Sequence, residues 1–306
     1  MKHLYGPVTS RRLGSSLGVD ILPLKTCSFN CIYCQLGSSP KTTTERREYL
    51  PAESVLAEIR EYLESTGPRP DYVTFSGSGE PTLHSRLGML IRNIKKLTDS
   101  KVAVLTNSSL ITLPEVRDEL LAADLVVPSL DAATQKVFER VNRPSPGLDI
   151  NEIINGLITF RKDFEGELRL EVLLVEGVND THAELEAIKL AVDKISPDSI
   201  DVNTVARPPA ESSVRGLSAE ELGKIAKKLG TCAKAVAPSK KAHHGVPGDA
   251  AGKILALLRR RPCSFAELCS SLGLASSDAA AALAALSRKG LVANIDNCEN
   301  GFYRAK

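Results

Sequence analysis

Short apolar runs alternate along most of this chain with longer stretches whose apolar residues recur every three or four positions. Residues 18–22, 72–76, 102–106, 125–129, 169–175 and 199–205 have the length and apolar content of strands. Between the first two, Val55, Leu56, Ile59 and Leu63 share one helical face behind Pro51, a residue suited to a first helical turn. A further helix is expected around residues 87–97, and two helices between Ser129 and Arg169. Residues 5–14 follow neither period and read as irregular chain. About six βα units result, and their alternation implies a parallel sheet with helices outside it. Six are too few for a closed eight-stranded barrel. An open doubly wound sheet fits the pattern equally well, and in either fold chemistry gathers where strands end and loops begin.

The pattern lapses over residues 231–248, a stretch of Lys, Ala, Pro and Gly that contains His243 and His244 and reads as a linker. A compact segment follows at 249–306. It has a helix around 251–259, then Ser264 and Glu267 spaced for a capping box. After a turn at Gly273, Ser276 or Ser277 is placed to cap an alanine-rich helix ending near Lys289. Residues 291–294 and 301–304 suit a hairpin. Helix, helix-turn-helix and hairpin together resemble a winged-helix module. The expected organisation is a barrel at 1–230, a linker at 231–248 and a winged-helix-like domain at 249–306.

Composition changes this picture little. The 306 residues are 42% hydrophobic and 25% charged, as in a soluble globular protein, and the net charge of +2 carries no global polyanion-binding signal. Residues 1–7 lack the apolar core of a secretory signal, no apolar run is long enough to span a bilayer, and seven cysteines suit a reducing compartment. A cytoplasmic protein is expected.

The cysteines change it most. In Cys27-Ser-Phe-Asn-Cys31-Ile-Tyr-Cys34 three thiols lie close enough to hold three irons of a [4Fe–4S] cluster, leaving the fourth iron for a small molecule. A structural zinc site needs a fourth nearby ligand, and the next histidine is His84. A disulfide leaves one thiol over. Three unrelated buried thiols remain an alternative, although the following Gly37-Ser-Ser-Pro40 favours a loop. Downstream, Ser76-Gly-Ser-Gly-Glu-Pro-Thr82 follows a strand; its glycines permit close backbone approach to a ligand, and Glu80 offers an acceptor for an amine. Read blandly, it is a strand-to-helix turn. Asn107 and Asp131 stand at two further strand ends, as ligand contacts or as turn and cap residues.

The spacing C-x3-C-x-aromatic-C resembles the signature of the radical S-adenosylmethionine (SAM) enzymes. The resemblance implies that Cys27, Cys31 and Cys34 bind the cluster, and that Tyr33, Gly77, Ser78, Gly79, Glu80, Asn107 and Asp131 help seat SAM. It also decides the fold in favour of a partial (βα)6 barrel. Ser78 stands where the family's Gly-Gly-Glu-Pro motif usually has its first glycine. Tyr5–Gly14, Cys34–Gly37, Phe75–His84, Pro128–Asp131 and Arg207–Glu211 narrow the likeness to one subgroup of Fe–S oxidoreductases, an uncharacterised family grouped with wyosine (tRNA-modifying) synthases. What this implies is reductive SAM cleavage to a 5′-deoxyadenosyl radical and a one-electron donor such as flavodoxin or ferredoxin; it supplies no substrate, although the subgroup's relatives and the C-terminal module put RNA-base modification first, peptide or protein modification second and small-metabolite chemistry third. Neither the substrate nor an acid or base acting on it can be read from the residues.

Arg11, Arg12, Arg143 and Arg207 are candidates to meet an anionic substrate, Arg207 foremost because it lies just beyond a strand end. Cys232, Cys263, Cys269 and Cys298 are too scattered for a short ligand pair, so no auxiliary cluster is expected, and Cys269 falls on an apolar helical face. Base readout usually needs Arg, Lys, Asn or Gln early in a recognition helix; residues 276–289 hold mainly Ala and Leu there, so sequence-specific DNA binding is not expected. Arg259–Arg261 could meet phosphates. The rival to an enzyme is an Fe–S redox sensor acting through the winged helix, which would need no SAM motif.

Overall fold

The computed structural model describes residues 2–10, 13–38, 41–64, 69–236, 249–295 and 301–306. Eight strands form one sheet in sequence order, β1 (Leu4–Ser10), β2 (Gly14–Val19), β3 (Tyr72–Phe75), β4 (Lys101–Thr106), β5 (Leu125–Pro128), β6 (Glu167–Leu174), β7 (Ser199–Thr204) and β8 (Ala233–Ala235). From β2 to β8 each neighbour is parallel, and β1 is antiparallel to β2. The crossovers carry α1 (Ala52–Glu64), α2 (Leu87–Leu97), α3 (Pro114–Leu120), α4 (Gln135–Val141), α5 (Ile150–Asp163), α6 (His182–Ile195) and α7 (Ala219–Leu229). This is a partial barrel of the (βα)6 type, with α4 and α5 together filling the crossover where two helices are expected.

The apolar faces of the helices bury against the outside of the sheet, where Leu56, Ile59, Leu90, Ile91 and Phe160 are fully buried. The inside is divided. Ala103, Leu105, Leu125 and Val127 of β4 and β5 form an apolar patch, whereas alternate positions of β6 and β7 bring in Arg169, Glu171, Asp201 and Asn203.

The N-terminal residues differ from expectation. Rather than irregular chain they form β1, paired with β2 through Leu4–Val19 and Ser10–Gly14. Alternation is obscured because Gly6 and Pro7 lie mid-strand and the register shifts between Tyr5 and Val8; an edge strand tolerates a proline that cannot donate. Gly18 faces the Tyr5 ring so closely that a Cβ there would lie 2.1 Å from it. The first parallel strand accordingly ends at Val19, and Asp20–Leu22 already belongs to the loop beyond. At the far edge β8 carries the sheet past 230, into the expected linker; it was missed because Ala-Lys-Ala has no strand signal. The rest of that linker, with His243 and His244, lies outside the described residues, as do Arg11, Arg12 and Cys298.

The C-terminal segment contains α8 (Ala250–Leu258), β9 (Cys263–Ser264), α9 (Phe265–Leu272), α10 (Ser276–Arg288), β10 (Val292–Ile295) and β11 (Phe302–Ala305), with β11 antiparallel to β10 on one side and to β9 on the other. Ser264 and Glu267 form the capping box, and Gly273 ends α9 with φ of 61°. Neither Ser276 nor Ser277 caps α10, which starts one residue after Ala275. Ile254, Leu257, Leu268, Leu272 and Leu283 form a core that also takes in Tyr5 and Val8 of β1. The segment is therefore packed directly on the barrel's N-terminal edge. Among the described residues no single helix is long and apolar enough to cross a membrane.

Candidate functional site

The cysteine loop starts where β2 ends and is pinned by backbone contacts to the loops after other strands. Thr26 pairs with Gly79 beyond β3, and the Glu80 N–H donates to the Thr26 carbonyl at 3.0 Å. Phe29 pairs with Pro144 beyond α4, while the Asn30 and Ile32 N–H groups donate to the carbonyls of Asn142 and Val141 at 3.0 Å each. The Ser28 and Ser109 hydroxyls meet at 2.6 Å, tying the loop to the turn after β4. Gly79 is required by this packing, since a Cβ there would stand 1.9 Å from the Thr26 carbonyl oxygen.

Cys27, Cys31 and Cys34 all line one cavity of about 340 Å³ at the strand ends. Burial pushes the Cys27 thiol up to about 12, with the Glu80 charge adding to it. Burial and then the Asp131 charge raise Cys31 well above its ordinary value. Cys34 is also raised by burial, opposed by N–H groups of Leu36 and Gly37 and by the charges of Lys25 and Arg304. Three sulfurs this sheltered become thiolates when a cationic group binds them. Among the described residues no three ligands converge as a single metal ion would require. Cubane ligands stand apart, because each thiolate binds its own iron. The donor set fits a [4Fe–4S] cluster held by Cys27, Cys31 and Cys34.

Beside the thiols lies the Gly77–Glu80 turn. Gly77 has φ of 136°, a conformation that favours glycine. The Glu80 carboxylate is buried and accepts from Thr82 N at 3.1 Å, Thr82 Oγ1 at 2.7 Å, Thr106 Oγ1 at 2.6 Å and Asn107 N at 2.6 Å. It binds the β3 and β4 loops together while lining the cavity. Burial raises its pKa, and those four donors oppose the rise.

Of the residues expected to seat SAM, Tyr33, Gly77, Gly79, Glu80 and Asn107 line this cavity. Ser78 and Asp131 do not. The Ser78 hydroxyl turns away and donates to Asp20 Oδ2 at 2.5 Å, with its N–H on Oδ1 at 3.1 Å. The family's usual glycine is thus replaced by a side chain that packs behind the turn. Asp131 is buried behind the cysteine loop, where it accepts from the Tyr33 hydroxyl, from Asn142 Nδ2 at 2.8 Å and from Leu173 N at 2.9 Å. Burial lifts Asp131 to about 6. Asn107 Nδ2 lies 2.9 Å from Ser28 Oγ and 3.4 Å from Cys27 Sγ.

Arg207 lines the outer cavity, donating to Glu267 of α9 at 2.8 Å and to Gln35 Oε1 at 3.3 Å. Arg304 of β11 donates to the Gln35 carbonyl at 3.2 Å, and Lys25 to that of Ser38. Arg143 lies away from the cavity, paired with Glu211. Sequence reasoning missed Glu171 and Asn203, which line the inner wall and are joined at 3.0 Å. Their signal was present: parallel strands are usually apolar on both faces, so polar residues alternating within β6 and β7 mark a lined interior. Cys263 and Cys269 belong to the C-terminal core, and Cys232 is exposed ahead of β8.

Comparison with known proteins agrees with this geometry. The model of the radical SAM superfamily matches residues 21–190, more than half of the chain. A UPF0026 protein of Helicobacter pylori J99 is 38% identical over 267 residues, covering 86% of each chain. A protein of Brachyspira hyodysenteriae named GTPase Obg is 45% identical over 226 residues, which are 74% of this chain but 33% of that one. In fold, the crystal structure of a radical SAM methyltransferase from Sphaerobacter thermophilus superposes with a TM-score of 0.57 at 17% identity, covering 72% of this chain and 65% of the other. With three thiols and a Gly-Glu-Pro turn facing one cavity at the strand ends, the chain belongs to the radical SAM superfamily, whose cofactors are a [4Fe–4S] cluster and SAM, and within it to the UPF0026 family.

Proposed function

We propose that this protein cleaves SAM reductively and uses the resulting 5′-deoxyadenosyl radical to abstract hydrogen from a base of a phosphate-bearing substrate, with tRNA as the first candidate. The observation that carries the cleavage is the Thr26–Gly79 pairing, which lays the thiols and the Gly77–Glu80 turn side by side on one cavity. When bound, the cluster supplies one electron to the sulfonium of SAM, breaking its bond to C5′ and releasing methionine. Gly79, packed on the Thr26 carbonyl, and Gly77, in its positive-φ turn against Asp20, hold this stretch of backbone at the cavity wall where it can meet the SAM amine, and the Glu80 carboxylate favours that amine's positive charge. Tyr33 and Asn107 border the same space. A flavodoxin- or ferredoxin-like protein is the proposed electron source.

The substrate reading rests on two features. Lys25, Arg207 and Arg304 come from three separate elements and converge on residues 34–38 at the mouth. Among the described residues the Lys25 and Arg304 head groups donate to carbonyls beside Cys34, whose thiolate their charges favour, and they are the cations we assign to phosphate. Deeper in, the Glu171–Asn203 pair combines a carboxylate with an amide, the groups that read the edges of an extruded base. The C-terminal module, winged-helix-like in its order of elements, contributes Arg304 to this rim.

The test is anaerobic reconstitution followed by an assay for 5′-deoxyadenosine with dithionite and SAM, beside Cys31→Ala. Product is expected from the wild type only, at a rate raised by bulk tRNA and not by a tryptic peptide mixture. Glu171→Ala is expected to lose that stimulation. No product from a protein with a complete cluster would overturn the cleavage; stimulation by peptides alone would overturn the substrate.

A further inference from the structure

Each of the three thiols meets N–H donors. Cys27 has the Phe29 N–H and the side-chain amide of Asn107, and Cys34 has the N–H groups of Leu36 and Gly37. Cys31, like Cys27, takes a side-chain amide, here Asn142 Nδ2 at 3.5 Å from Sγ, and it also meets the Tyr33 hydroxyl. Asn142 lies just past α4, 111 positions from Cys31 in sequence, and is buried. An amide nitrogen carries two hydrogens. One points at Asp131 Oδ2, 2.8 Å away, and the other is then directed at the sulfur. Asp131 is itself fixed by the Tyr33 hydroxyl and Leu173 N, so its carboxylate selects the amide orientation that turns nitrogen, not oxygen, toward the thiolate.

We infer that Asn142, oriented by Asp131, is a positioning residue that sets the reduction potential of the cluster through its hydrogen bond to the Cys31 thiolate, with Asn107 acting in the same sense on Cys27. Hydrogen bonds to cluster sulfurs withdraw electron density from the irons and favour the reduced state. Removing the donor therefore makes the cluster harder to reduce. Truncating Asn142 leaves the loop anchored, because the bonds from Asn30 N to Asn142 O and from Ile32 N to Val141 O are main-chain bonds.

This inference rests on the three-thiolate cluster, which iron counting and the EPR signal of the dithionite-reduced wild type check separately; a wild type that holds no cluster would sink that assignment first. The experiment is an EPR-monitored redox titration of reconstituted wild type, Asn142→Ala, Asn142→Asp and Asn107→Ala. Asn142→Ala is expected to lower the reduced-to-oxidised ratio at fixed potential about tenfold, equivalent to about 59 mV for a one-electron couple. Asn142→Asp, whose carboxyl must share a proton with Asp131 and so offers the sulfur no N–H, is expected to move in the same direction. Asn107→Ala is expected to move less, since Phe29 N–H stays on Cys27. Fully loaded variants with the wild-type midpoint would overturn the inference. Failure of both alanine variants to hold a cluster would also overturn it, as it would make the two amides assembly groups rather than tuning groups.

Discussion

Arg260 and Asp20, 240 positions apart, meet at 3.1 Å with both side chains buried, and the same Asp20 holds the Ser78 hydroxyl and N–H. Arg260 also donates to the Lys2 carbonyl at 2.8 Å and stacks over the Tyr5 ring, 5.1 Å from its centroid. A charge at the end of α8 thus fastens the turn that faces the cavity.

Arg260→Ala leaves Asp20 as a buried charge without its counter-ion, and removing one partner of such a pair costs about 3–5 kcal/mol. The expected outcome is a lower urea midpoint together with weaker SAM binding to the reconstituted protein. Unchanged SAM affinity would show that the turn does not depend on the module.

Ser78→Gly restores the family's usual doublet. The hydroxyl faces Asp20 and not the cavity, so stability is expected to fall by about 1–2 kcal/mol while SAM affinity stays close to wild type. Isothermal titration beside urea unfolding separates the two effects; a large gain or loss of affinity with unchanged stability would contradict the placement of Ser78.

Gly79→Ala drives a methyl group into the Thr26 carbonyl, 1.9 Å from an ideal Cβ. Relieving it displaces the cysteine loop at a cost of roughly 1–3 kcal/mol, and most bound iron is expected to be lost. Gly223, inside α7 with nothing within 4 Å of the place a methyl group would take, is the control. There alanine is expected to stabilise by about 0.5–1 kcal/mol with iron retained. Iron counts alike in both variants would count against the packing argument.

His84 is fully buried, with Nε2 on the Leu50 carbonyl at 2.8 Å and Nδ1 accepting from Arg86 N at 3.2 Å. Burial lowers its pKa below the ordinary 6.5. Between that lowered value and 6.5 the unfolded chain binds the proton and the folded chain does not. Stability contributed by neutral His84 is therefore complete above 6.5 and is lost as pH falls below it. The gap in urea midpoint between wild type and His84→Gln should narrow on going from about pH 7.5 to about pH 5.5, and a constant gap would refute the assignment.

Much of the site was legible because its chemistry is local. Cys27, Cys31 and Cys34 lie within one loop, and Gly79, Glu80 and Asn107 sit directly after strands whose apolar runs are unmistakable. What escaped notice depends on distance in sequence or on weak local signal. Nothing near Asn142 announces that its amide reaches Cys31, and nothing near Arg260 announces Asp20. Ser78 read as a departure from the motif because a glycine usually stands there, and its partner Asp20, 58 positions away just beyond β2, gives no local sign of the pairing. β1 was hidden by Gly6 and Pro7, and β8 by its alanines, since edge strands are held by the neighbour they pair with more than by their own propensity.

The shared use of Tyr5 and Val8 has a consequence for synthesis on the ribosome. These residues emerge roughly 250 positions ahead of the leucines and isoleucine that cover them, in α8 to α10. With elongation at about 5–20 residues per second, the nascent β1 waits on the order of 10–50 s for its covering surface. During that interval it is an exposed edge strand with an apolar face, the kind of surface that chaperones hold and that pairs wrongly with other chains. Ribosome-release variants lacking the last helices would leave that face bare for good.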